Sequence, residues 1–284
     1  SKKEDSVVLI LISVFVNLIF LAALMALQAD LSAFLGVEAT KTTLSILKDI
    51  LIPISTAFFG AAFGAYIAYR LSVRQSKQLE RVKEHSVLLS SFYALNAQIN
   101  DLLDFKLSII EPNSNDEVRA LTINWCVDVQ CVSEKVHDES GYVLAKYGEL
   151  TVYKQLKRAE RAYICAKRLV QRRNDLYDSY RISLDKEAKL GEGIDFNVIV
   201  NKFGYNNLCR LYDTTESMVS QVDVAIAQLK QALDDLPQCM NKHFPNDQFV
   251  TLSSYTKPGF ENAILVNSSK PKISSLKDLQ ALMD

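Results

Sequence analysis

The residues best suited to metal or nucleophilic chemistry are few and scattered: three histidines and five cysteines in 284 residues. His85, His137 and His243 fall in different segments. His243 follows Cys239 by four residues, which on a helix places the two on one face. A structural zinc site takes four ligands, typically as two such pairs, and the remaining candidate pair is Cys126 with Cys131. That spacing lies in an apolar helical pattern, where cysteine behaves as a small hydrophobe. No metal ion and no cofactor is expected on this count. The sequence has no G-x-S-x-G elbow and no phosphate loop ending in Gly-Lys-Ser/Thr. Gly191-Glu192-Gly193 reads as a connector. No nucleophile is nominated together with its base, and the chain is not expected to be an enzyme.

Polar and small residues inside apolar runs carry more information. Val7 to Leu27 is uncharged and contains Ser13 and Asn17, four residues apart. Ile50 to Tyr69 is also uncharged and holds Ala57, Gly60, Ala61, Gly64, Ala65 and Ala68. Each run is long enough to span a bilayer once, which takes roughly 20 helical residues. The first is too long for a signal-peptide core, and Glu4 and Asp5 spoil its basic flank, so a retained anchor is expected. A mid-membrane amide such as Asn17 seeks a partner across a helix interface. Small residues four apart, as at Gly60 and Gly64, let helix backbones approach closely, either within the hairpin or between copies. Lys2 and Lys3 precede the first run; Arg70, Arg74, Lys77, Arg81 and Lys83 follow the second, and only Lys41 and Lys48 lie between. The positive-inside rule then predicts a transmembrane hairpin over residues 1–70 with both termini cytoplasmic. The juxtamembrane cations would meet anionic lipid headgroups. All five cysteines fall after residue 70, consistent with a reducing compartment.

A third set is a run of cations. Residues 150–189 carry eleven Lys and Arg against five acids, whereas 101–149 carry ten acids against four bases. Lys154, Arg158, Arg161, Arg168 and Arg172 recur at helical spacing away from the apolar positions. Such a stripe is a candidate face for a protein partner or nucleic acid, or it faces the acidic segment or solvent. Aromatic interleaving of the kind that stacks single strands is absent from it.

Helices must position these groups. Nine glycines and six prolines are about half the usual number, which disfavours sandwiches and glycine-rich nucleotide folds. A net charge of −1 excludes a chain that is basic throughout. Four apolar patterns step by three and four residues: Leu88 to Ile109, interrupted by Lys106; Val118 to Val136; Val152 to Tyr180; and Leu208 to Leu236, with Pro237 closing the last. Pro112-Asn113-Ser114-Asn115, Gly141 and Gly191-Glu192-Gly193 separate them. The fold class expected is all-α: the transmembrane hairpin, a coiled-coil-like four-helix bundle over 71–237, and an irregular arm over 238–284. In the arm, 249–255 and 263–266 read as short strands and Ser274 or Ser275 as the cap of a final helix. No proline or glycine lies between Ala65 and Glu111, so the second span is expected to continue into the bundle as one helix of about 60–70 Å, the alternative being a joint near Ser72 to Ser76. The polar character of the bundle faces suggests completion by self-association or a partner.

The order of these features resembles two-transmembrane effectors of bacterial antiphage systems, including retron and abortive-infection modules. The resemblance rests on the N-terminal anchor, on the second span Ile54-Ser55-Thr56-Ala57-Phe58-Phe59-Gly60-Ala61-Ala62-Phe63-Gly64-Ala65-Tyr66-Ile67-Ala68-Tyr69-Arg70, and on the helical domain that follows. It covers about the first quarter of the chain, and its motif is generic. It implies a location in the bacterial inner membrane, and an effector held silent by a partner complex and released to damage that membrane. For the retron version it implies a reverse transcriptase with its RNA–DNA product as partner. The other class of function compatible with the residues is a passive membrane-tethered scaffold.

Overall fold

The computed structural model describes residues 52–124, 126, 133–185 and 194–245, with Leu27, Asp49 and Ala281 as isolated positions. The first apolar run with Ser13 and Asn17, Cys131, Gly191-Glu192-Gly193, and the strands and final helix expected in the arm lie outside the described residues. The chain divides into two compact units, 1–78 and 79–284. The described residues are all-α: helices α1 (Ile52–Phe105), α2 (Arg119–Thr122), α3 (Glu139–Lys146), α4 (Leu150–Leu184), α5 (Phe196–Phe203) and α6 (Tyr205–His243), with no strand among them.

Helix α1 runs unbroken through Ser72 to Ser76, so no joint interrupts it there. In the first unit its residues are mostly exposed, including Ile54, Phe58, Phe63 and Ile67. Among the described residues, no helix is long and apolar enough to cross a membrane. Ser, Thr, Gly and Tyr residues dilute the apolar character of Ile52 to Tyr69.

In the second unit, the pattern that begins at Leu88 is buried through Leu102, and Lys106 does not interrupt it. A π-helical turn over Lys106–Ile110 carries the pattern on, so Ile110 rather than Ile109 is fully buried. Lys106 is 2% exposed, with its Nζ 2.6 Å from Asp223 Oδ1 on α6. Helices α4 and α6 follow the third and fourth patterns. All nine positions from Leu208 to Leu236 are buried, and Leu156, Ala159, Tyr163, Ala166 and Val170 close on them. One apolar core joins α1, α4 and α6. A second gathers Tyr177, Phe196, Ile199, Phe203, Leu208 and Leu211 around α5. Asp195 caps α5 by accepting from the Asn197 N–H at 2.7 Å.

Three features correct the expectation. Among the described residues of Val118 to Val136, only Arg119–Thr122 is helical, and Asn124, Cys126 and 133–136 are irregular, so no single helix spans the pattern. The valines at 118, 127, 129, 132 and 136 are stiff at χ1 and weak helix formers. Among the described residues the bundle has three long helices, α1, α4 and α6. Next, α6 passes through Pro237 to His243; proline removes one hydrogen bond, but Leu236, Cys239 and Met240 stay buried on either side. Finally, Gly141 lies inside α3 rather than between helices. A Cβ there would sit 2.7 Å from the Tyr153 ring, so the glycine permits close packing of α3 on α4. The turn itself is made at Gly148, whose φ of 78° favours glycine.

The irregular segment is secured by side chains of the neighbouring helices. Arg173, 0% exposed, donates to the carbonyls of Asn124 at 2.9 Å, Ala120 at 3.2 Å, and Ile123, and lies over the Tyr177 ring. Asn174 accepts from the Cys126 N–H at 3.1 Å and donates to its carbonyl at 2.9 Å. Glu160 accepts from the Val136 N–H, Lys157 donates to the Val136 carbonyl, and Gln98 donates to that of Glu134. Buried backbone groups require such partners. We expect Asn174→Leu, which keeps bulk but orphans both groups of Cys126, to lower stability by roughly 1–3 kcal/mol per group. Urea unfolding of the full chain measures this; an unchanged midpoint would show that the segment is held otherwise.

Candidate functional site

Helix α4 separates its cations by face. Lys154, Arg158, Arg161, Arg168 and Arg172 are all exposed and fall on one stripe, with Cys165 in the gap between Arg161 and Arg168. At 1.5 Å per residue the stripe is about 27 Å long. None of the five makes an ion pair among the described residues. The cations of α4 that do find partners lie on other faces. Lys157 bridges Asp138 at 2.9 Å and Glu160 at 3.2 Å. Lys167 meets Asp101 at 2.9 Å, which also accepts from the Tyr163 hydroxyl. Burial lowers the Arg173 pKa from the usual arginine value. Asp101 and Asp138 of the acidic 101–149 segment are thus partnered by Lys167 and Lys157, and the stripe is exposed.

The cations that follow Tyr69 also divide. Arg74 and Lys77 are exposed. Arg70 Nε donates to the Tyr66 hydroxyl at 2.9 Å one turn back. Arg81, expected at headgroups, instead donates to the His243 carbonyl at 3.2 Å and sits 5.6 Å from the Phe244 ring centre. Lys83 lies 3.5 Å from Glu139. Sequence periodicity cannot reveal this, because both partners of Arg81 are more than 160 residues away. Ala57, Gly60, Ala61, Gly64, Ala65 and Ala68 are exposed, and a Cβ at Gly60 or Gly64 meets no atom within 4 Å. This small-residue face is open in the single chain.

Cys239 and His243 do share a face of α6, as their spacing predicts, and Glu149 joins them. One donor atom from each lies within 4.8 Å of the others. Burial first, and then the Glu149 charge, push the Cys239 thiol up to about 11. Cys126 is buried beside Asn174 and Arg173. A shallow cleft of about 310 Å³ lies between α1 and the irregular segment, lined by Ser86, Ser90, Tyr93, Glu134 and His137 among others. Among the described residues neither serine hydroxyl is bonded to the His137 ring.

The two kinds of α4 cation should respond oppositely to substitution. Arg161→Ala with Arg168→Ala should leave stability within about 0.5 kcal/mol. Arg173→Met should cost roughly 1–3 kcal/mol for each buried carbonyl left unpaired. Chemical denaturation of both variants makes the comparison; equal effects would remove the distinction between the two faces.

Comparison of the chain with family models, curated proteins and solved structures finds no match.

Proposed function

We propose that this chain is a membrane-anchored, regulated effector of the inner membrane, acting in antiphage defence. On this reading its helical bundle binds an anionic partner, and its two apolar runs assemble to disrupt the bilayer. The observation that carries the reading is α1 itself. One helix displays Ile54, Phe58, Phe63 and Ile67 to its surroundings at one end and supplies Leu95, Ile99 and Leu102 to the bundle core at the other. An exposed contiguous apolar surface of this kind calls for lipid or protein to cover it. The run Val7 to Leu27 supplies the second arm of a transmembrane hairpin, and the open face at Gly60 and Gly64 supplies the close helix contact. The partner side rests on the exposed stripe of α4, without ion pairs among the described residues, which suits phosphates, including those of the nucleoprotein that the antiphage resemblance implies.

A passive scaffold would use the same stripe for docking and the same runs only as an anchor. The two readings differ in what the small-residue face must do. Gly60→Leu and Gly64→Leu keep the apolar length but push helices apart, and Asn17→Leu removes an amide bridge worth about 0.6–2 kcal/mol. For the effector, each variant should reach the membrane at normal levels yet lose depolarisation, read with a potential-sensitive dye after induction. A wild type that never depolarises cells, even when released from its partners, would reject the effector. A reporter fused after Asp284 should be active in the cytoplasm, and periplasmic phosphatase activity there would reject the hairpin topology.

A further inference from the structure

The end of α6 and the start of α4 meet at a cluster that the sequence spacing alone does not assemble. Glu149 is the residue before α4, held on the backbone by its N–H to the Leu144 carbonyl at 2.8 Å and by its carbonyl to the Val152 N–H at 3.1 Å. Cys239 and His243 stand one turn apart on α6. His243 Nε2 lies 3.1 Å from Glu149 Oε1. The imidazole is backed by the Tyr147 ring at 4.8 Å between centroids, and its backbone carbonyl is tied to Arg81 at 3.2 Å. The donor atoms therefore sit on elements that are fixed from several directions, which is what a metal site requires of its supporting shell.

We propose that Glu149, Cys239 and His243 form a zinc(II) site with a water as fourth ligand. The donor separations fit the ion. Two nitrogen or oxygen ligands at 2.0–2.1 Å in a tetrahedron lie about 3.3 Å apart, and a sulfur at 2.3 Å lies about 3.5 Å from either. The observed 3.1 Å between His243 and Glu149 is close to that edge. The largest donor separation, within 4.8 Å, closes by side-chain rotation of Cys239 or Glu149. Binding releases the Cys239 thiol proton to solvent, and the resulting thiolate and the Glu149 carboxylate neutralise the dication, so the half-buried occupied site carries no net charge. Thiolate with imidazole selects zinc over magnesium or calcium, which prefer all-oxygen shells. In the free chain Lys242 Nζ lies 2.7 Å from the same Glu149 oxygen. Lys242 is 67% exposed and swings into solvent as the ion enters, exchanging a surface ion pair of small worth for coordinate bonds. The bound ion would join the entry to α4 to the last turn of α6. This inference does not depend on the membrane reading.

The test is zinc titration of the purified, chelator-stripped full chain against a chromophoric zinc indicator, with thermal unfolding alongside. One equivalent should bind the wild type and raise its midpoint. Glu149→Gln, Cys239→Ser and His243→Ala should each weaken binding by roughly 10–100-fold. Lys242→Ala supplies the opposite sign: with the competing ammonium gone, zinc should bind several-fold more tightly. Cobalt(II) in place of zinc should show a thiolate charge-transfer band that disappears in Cys239→Ser. Absence of stoichiometric binding by the wild type, binding that survives all three ligand substitutions, or weaker binding in Lys242→Ala would each overturn the site.

Discussion

Backbone carbonyl and amide groups taken out of water must find partners, and a chain that leaves helical conformation inside a bundle has lost the usual ones. The described stretch at Ile123, Asn124, Cys126 and 133–137 does this. Its groups are met by Arg173, Asn174, Glu160, Lys157 and Gln98, all projecting from helices. Arg173, Asn174, Glu160 and Gln98 are buried, and Lys157 is part-exposed. The choice of polar residue at these positions fixes the path of the described stretch by giving its backbone groups their partners.

Much of this architecture was legible. The Leu208 to Leu236 pattern gave α6 because every step of three or four lands on the side facing α4. The third pattern even included Arg173, since a cation at a core position is not distinguishable by spacing from an apolar residue. Lys106 was the opposite case: charge suggested an interruption, and a π turn with Asp223 across the core removed it. The Val118 to Val136 pattern misled because β-branched residues at helical spacing satisfy periodicity while disfavouring the helix. Partners far apart in the chain were out of reach. Nothing local marks Glu149 as a neighbour of His243, or Arg81 as one as well.

Cations throughout the second unit follow one rule of burial. Lys106, Arg119, Lys167 and Arg173 are nearly covered, and each is answered by a carboxylate or by carbonyl oxygens. Arg119 forms a two-pronged pair with Glu216, Nε to Oε1 at 2.7 Å, and this pair raises its pKa above the usual arginine value. These interactions contribute to a unique register more than to net stability, because desolvation offsets much of the attraction. Exposed cations, in contrast, are held only by their place on the helix, so their spacing carries whatever meaning they have.

Pro237 gives the end of α6 a character of its own. Without an amide hydrogen it cannot bond to the Leu233 carbonyl, and the helix crosses that point with one rung missing. The turn beyond it, Gln238 to His243, is held by packing of Cys239, Met240 and Phe244 and by the contacts of His243 with Glu149, Tyr147 and Arg81. Cooperativity along a helix is transmitted chiefly through its successive hydrogen bonds, so this turn is energetically separable from the thirty-odd residues before it. The register of that last turn therefore rests on side-chain contacts more than on the hydrogen-bond ladder behind it.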